Sequence, residues 1–147
     1  MLPRYCCVIL SCPGRGYLLE SRPADARHDG GSVTCFGGTR EPHENETECA
    51  RREILEELGW KVGPLDKRIE LWIGPASSPR SEPRFIATFF TADAPAANVP
   101  LYPEPGHTIL WVPPHELPST NLSRWHRAVL DAHAQSPPGL VKVGLDS

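Results

Sequence analysis

Residues 38–60 read GTREPHENETECARREILEELGW, and the spacing of charge and glycine in this stretch governs the reading of the whole chain. Glu53, Glu56 and Glu57 fall at i, i+3 and i+4, so a helix stacks them on one face. Like charges so placed repel, by about a few tenths of a kcal/mol per pair in an isolated helix. A chain that needed only solubility would interleave lysines. The natural neutraliser is a divalent cation that prefers oxygen, magnesium or manganese. Local chemistry predicts a helix over 46–58. Asn45 suits the N-cap, Glu48 three residues on completes a capping box, and Glu46 and Glu48 suit the positive end of the dipole. Gly59 stands where a C′ glycine ends a helix. Turned at 100° per residue, the helix sets Ala50, Ile54, Leu55 and Leu58 as a core stripe beside the carboxylates.

Outward from the helix, the pattern G-x5-E-x7-R-E-U-x-E-E-x-G-U, with U aliphatic, is matched at every fixed position by Gly38, Glu44, Arg52, Glu53, Ile54, Glu56, Glu57 and Gly59. Trp60 closes it with a larger apolar residue. At about 7% per residue type, seven fixed letters coincide by chance roughly once in 10⁸ windows. The chain resembles the Nudix family. That resemblance implies an α/β protein of the Nudix fold, a mixed β-sheet sandwiched between α-helices. It implies nucleophilic substitution at phosphorus that splits a diphosphate linked to some moiety X. Glu53, Glu56 and Glu57 correspond to carboxylates that hold Mg2+ (or Mn2+) or position the attacking water, with Glu53 preferred as general base. Glu44 corresponds to an accessory carboxylate, the Gly37 carbonyl to a backbone metal ligand, and Gly38 to a residue lining the substrate.

Arg52 reads as an internal ion-pair partner that fixes the loop, because its neighbouring carboxylates would not leave it unpaired. Glu41 and Pro42 fit the segment that commonly precedes the box glutamate, whereas His43 and Phe36 depart from it. Phe36 occupies a position that borders the substrate pocket in relatives. Arg22 stands where relatives often contact phosphate, or else it merely closes its strand at the surface. Of the acidic residues outside the box, Glu104 is favoured as a further metal ligand over Glu82 and Asp93. His107 could replace it as ligand or base, although a lone histidine at a strand start is usually just exposed.

The 147 residues suit one domain, expected over 1–135. Residues 136–147 begin with Pro137-Pro138-Gly139 after Ser136 and read as an extended or loosely ordered tail. Seventeen prolines predict short elements joined by stiff loops. β-Rich runs stand at Arg4–Ser11, Tyr17–Arg22, Ser32–Phe36, Lys67–Ile73, Arg84–Thr91 and His107–Val112, with Gly37-Gly38 expected to break the third. A second helix reads over Asn121–Ala134, with Ser119 or Thr120 as cap and Leu122, Trp125 and Val129 on its core face. A net charge of −3 excludes a protein whose main business is coating nucleic acid. No run of about twenty apolar residues spans a membrane, and Met1–Leu10 lack a secretory layout. Five cysteines without a C-x-x-C read as reduced, mostly buried thiols of a cytoplasmic protein, with Cys6 or Cys7 accessible on one face of its strand. His126 and His133 read as structural.

The expected partner is a small-molecule nucleotide, and the expected assembly a monomer or homodimer. First in order stands a (deoxy)nucleoside triphosphate pyrophosphatase of the pool-cleaning type. An ADP-ribose or nucleotide-sugar pyrophosphatase follows, then a capped RNA or dinucleoside polyphosphate. Loops over 75–84 and 93–106 would set specificity, with Phe36, Trp72 and Phe85 as candidate stacking groups. A non-catalytic nucleotide-sensing module is a different class of reading; such relatives usually lose box carboxylates, and none is missing here. A structural protein with an inert acidic helix is the third.

Overall fold

The computed structural model describes residues 4–26, 30–74, 83–135 and 139–146. Within them β1 (Arg4–Cys12) and β2 (Gly16–Ser21) form an antiparallel hairpin paired at Leu10↔Leu18 and Cys12↔Gly16. Away from the turn the two strands part. Into the wedge between them runs a short double strand, with β3 (Val33–Thr34) on β2 and β4 (Phe36–Thr39) on β1. The other edge of β1 pairs in parallel with β6 (Phe85–Asp93), which pairs antiparallel with β5 (Asp66–Gly74). β7 (Thr108–Val112) lies antiparallel to β2.

Helix α1 (Glu46–Leu58) covers one face, burying Cys49, Ala50, Ile54 and Leu58 against Cys6, Val8, Leu10, Leu18, Phe36 and Phe90. Helix α2 (Arg124–Ala134) covers the other with Val129 and Leu130, against Ile9, Leu19, Leu71 and Phe89 among others. The strand alternation that sends Cys6 to one core and Cys7 to the other leaves both buried, so neither thiol is accessible on the described surface. All five cysteines are free.

Several expectations are corrected. Gly37-Gly38 do not break a strand; they lie within β4, where a side chain at Gly37 would meet β1 and one at Gly38 would meet Glu53. A Cβ on Gly37 would sit 2.4 Å from the Cys6 carbonyl oxygen. Leu55 leaves the apolar stripe and is exposed, while Glu57 is buried in its place. Residues 114–119 form a 3₁₀ turn (Pro114–Ser119), and helix α2 starts later than expected, after Ser123, because 121–123 bridge to β3: the Val33 N–H donates to the Asn121 carbonyl and the Ser123 N–H to the Val33 carbonyl. The Ser119 and Thr120 hydroxyls both donate to the Glu116 carbonyl of that turn and do not cap α2. The segment expected as a tail is extended but ordered into the sheet: β8 (Val141–Asp146) pairs in parallel with β5. Arg124 of α2 pairs with Asp146, which ties β8 down. Residues 136–138 and the candidate Glu82 lie outside the described residues, as does most of the 75–84 loop.

Candidate active site

Helix α1 starts and stops where its caps dictate. The Asn45 side chain accepts the Glu48 N–H and the Glu48 carboxylate accepts the Asn45 N–H, both at 2.8 Å. Gly59 closes the helix in the left-handed conformation, donating to the Leu55 carbonyl at 2.9 Å. The helix is thereby phased so that Glu53 and Glu57 point at β4. Gly38 makes room for the first: a Cβ there would lie 2.4 Å from the Glu53 carboxylate. The Gly37 N–H donates to Glu57 Oε2 at 2.9 Å.

Arg52 binds the accessory carboxylate in bidentate fashion, with Nη2 at 2.6 Å from Glu44 Oε1 and Nε at 3.0 Å from Oε2. Its Nη1 donates to Glu53 Oε1 at 3.0 Å and to Glu56 at 3.3 Å, and Nη2 donates to the Thr39 carbonyl at 3.1 Å. This one guanidinium fastens the loop that carries Glu44 to the helix. The Arg52 hydrogen bonds hold the buried Glu44 carboxyl down at about 2, with the Glu41 N–H helping at 2.9 Å.

Glu57 has the opposite environment. Burial, with the charges of Glu20 and Glu53 adding to it, pushes its carboxyl up to about 10. Burial also raises Glu53 and Glu20 above the usual carboxylate range. Three crowded acids in a desolvated setting need positive charge to ionise together. The donors are all oxygens, the kind that magnesium and manganese take. This charge demand and donor set fit a divalent cation. A tighter trio, Glu41, His43 and Glu44, has ligand atoms within 4.8 Å of one another. It makes a poor site, because Arg52 already occupies both Glu44 oxygens and the other two side chains are exposed.

A NUDIX domain model matches residues 2–133. The chain belongs to the Nudix family. No curated protein sequence matches it. Among solved structures it is similar to a MutT protein from Methanosarcina mazei Go1, with TM-score 0.74 and 20% identity over 90% of this chain and 93% of that one. It is also similar to a MutT protein from Bacillus halodurans, with TM-score 0.72 and 18% identity over 99% of this chain and 90% of the other. A MutT Nudix hydrolase from Burkholderia pseudomallei gives 0.71 and 21%, over 89% and 97%. At these identities the likeness establishes the Nudix fold; the family membership makes the chain a Nudix hydrolase.

Around the Nudix box the structure gathers some of the expected residues and disperses others. Arg22 is at the site, its Nε 3.3 Å from Glu20 Oε1 and donating to the Thr34 hydroxyl at 3.2 Å. Glu104 is near enough that its charge adds to the rise at both Glu53 and Glu20. His107 is not simply exposed. Its Nδ1 lies 3.3 Å from Glu20 Oε1 and its Nε2 3.9 Å from Glu104. Asp93 pairs with Ser11, five residues along β1 from the Cys6↔Gly38 pair, about 17 Å away. Phe36 is not among the residues that line the cleft beside Gly37. Alternation turns it into the core under α1, fully buried, while its neighbours Cys35 and Gly37 face the opposite cleft. Trp72 likewise points away from that cleft, donating to Glu70 at 3.0 Å. Phe85 packs edge-on to Tyr5 with centroids 5.3 Å apart and tilts against Trp125 at 4.7 Å.

Glu20 was missed. Its signal in the sequence is a lone acid ending the apolar run Tyr17-Leu18-Leu19, two residues and therefore one face from Arg22. A charge buried in such a strand needs a partner.

Proposed function

We propose that this Nudix hydrolase performs metal-dependent hydrolysis of the diphosphate linkage in a nucleoside diphosphate-X substrate, and that its substrates are (deoxy)nucleoside triphosphates cleaved as by a pool-cleaning pyrophosphatase. The observation that carries the reading is the buried Glu57, flanked by Glu53 and Glu20 and pinned to the Gly37 N–H. Such a cluster gathers more negative charge than its own partners suit, and it would repel a pyrophosphate unless a cation lay between them.

The Gly37 carbonyl, Glu53, Glu56, Glu57 and Glu104 would hold Mg2+ or Mn2+. A bound cation of this kind polarises phosphoryl oxygens and acidifies bound water. The chain's own residues supply the rest. Glu53, raised by burial and turned toward β4, serves as general base for the attacking water. Arg52 keeps Glu44, Glu53 and Glu56 in register while itself neutralised. Arg22, on the strand beside Glu20, offers a guanidinium to the phosphate chain.

Incubation with Mg2+ and a nucleotide library, read by mass spectrometry, tests this directly because it reports substrate and cleaved bond together. Release of nucleoside monophosphate and pyrophosphate from triphosphates, lost in Glu57→Gln, is expected. Tight nucleotide binding with no turnover under any metal would replace the reading with a sensing module. Cleavage confined to ADP-ribose or a nucleotide sugar would move the substrate class and leave the chemistry intact.

A further inference from the structure

On the face of the sheet opposite α1, a cleft opens between β1, β5, β6 and α2, lined by Tyr5, Arg22, Cys35, Phe89, Trp125 and His126 among others. Gly37 and Gly38 form part of its wall, and through these same residues it adjoins Glu57 and Glu53. A substrate whose phosphates lie at the carboxylates therefore has its remaining moiety within reach of this cleft. Flat aromatic walls and the apolar side chains of Leu71 and Ala87 suit a planar ring.

The cleft carries one donor whose proton the fold fixes. The Cys35 backbone N–H donates to His126 Nδ1 at 3.0 Å. A backbone N–H has no other role, so Nδ1 is the unprotonated nitrogen and the ring proton sits on Nε2. Burial holds the ring neutral, down at about 3, so this tautomer persists across the working pH range. Phe89 braces the ring edge-on, centroids 5.5 Å apart. Among the described residues Nε2 makes no hydrogen bond, yet it is not among the side-chain atoms sealed away without one. The Nε2–H therefore keeps access to the cleft. Cys35 is held as a thiol, pushed up to about 12 by burial, and Arg22 adds only donors. No carboxylate among the described residues lines the cleft.

We propose that His126 is a specificity-determining residue whose Nε2–H donates to the carbonyl oxygen that keto bases carry where amino bases carry an exocyclic amino group, so that the cleft selects keto bases over amino bases. The proposal rests on the nucleotide reading above. An exocyclic amino group set against Nε2–H brings two donors together and strands both.

The test measures kcat/KM for the full chain with Mg2+ on two matched pairs, dGTP against dATP and UTP against CTP. The wild type is expected to favour the keto member of each pair by about tenfold or more. His126→Asn keeps an oxygen to accept the Cys35 N–H and deletes the distal donor. It is expected to lower kcat/KM for the keto members by about tenfold, leave the amino members unchanged and retain a Tm near that of the wild type. An unaltered keto-to-amino ratio in this variant overturns the assignment, as does a wild type that treats both members alike. If the variant fails to fold, the wild-type ratios decide alone. If the wild type hydrolyses none of the four, calorimetric titration with GMP and AMP decides. A preference for GMP that His126→Asn removes supports the assignment while the triphosphate-substrate reading falls, and equal or absent binding overturns it.

Discussion

Replacing Arg52 by methionine removes a guanidinium that five side-chain contacts tie to three carboxylates, and leaves the buried Glu44 with the Glu41 N–H and the Cys49 thiol as partners and no cation beside it. Breaking a fully buried pair from one side costs about 3–5 kcal/mol, and an exposed pair about 0–1 kcal/mol. Arg52 is 26% exposed and Glu44 6%, so the loss falls between those limits, at about 2–3 kcal/mol. For a domain of this size that lowers Tm by about 4–12 °C. Glu44→Gln leaves no stranded charge and is expected to lose less, about 1–2 kcal/mol. The double variant should then recover at least about 1.5 kcal/mol relative to the sum of the singles. Acid supplies an independent check. Glu44 is held down at about 2 from an ordinary value of 4.5, so its stabilisation is present above the ordinary value and lost as pH falls toward 2. The stability gap between wild type and Arg52→Met must therefore narrow from pH 5 toward pH 2. Urea denaturation in EDTA, repeated across that range, measures both quantities. Additive singles, or a gap that stays constant on acidification, would refute the argument that Arg52 acts through Glu44.

Three further outcomes follow from the site. Glu57 is raised to about 10, so in EDTA its contribution to stability is fully present below about 4.5 and lost as pH rises toward 10. Mg2+ should accordingly raise Tm more at pH 9 than at pH 6, and Glu57→Gln should flatten the EDTA pH slope and remove the Mg2+ gain in thermal melts. Gly38→Ala meets only the far end of the Glu53 side chain, whereas Gly37→Ala meets the Cys6 backbone. The first is expected to fold with kcat lowered by about 10²-fold through a displaced Glu53, and the second to be recovered largely unfolded; circular dichroism and steady-state kinetics separate them. Asn45→Ala breaks the capping box and should lower stability by about 1 kcal/mol, read as a Tm loss of about 2–4 °C with kcat little changed.

What could be read in advance follows from how local each determinant is. The limits of α1 were legible to the residue, because Asn45, Glu48 and Gly59 act within one or two turns of themselves. The role of Arg52 was legible because its partners stand on its own helix and the loop before it. Glu20 and the orientation of Phe36 were not. Both depend on β1 and β2 parting so that β3 and β4 fill the wedge, and no short window of sequence encodes that pairing. The ordering of 141–146 also needed a distant partner, the free edge of β5. His126 read as structural, and its Nδ1 does accept the Cys35 N–H; the role proposed for its second nitrogen needed α2 placed over the cleft.

The arrangement of the two faces explains why consecutive glycines occupy the middle of β4. The carboxylates of α1 lie on one face of the sheet and the cleft under α2 on the other. A sheet two side chains thick would keep anything bound on one face from reaching the other. At Gly37 and Gly38 the sheet is a bare backbone, with an N–H turned to Glu57, the Glu53 carboxylate in van der Waals reach and the cleft behind. On the proposed reading, phosphate chemistry and base recognition meet across this strip. A side chain at either glycine therefore disturbs different functions: at Gly38 the catalytic carboxylate, and at Gly37 the pairing of β4 with β1 that holds both faces together.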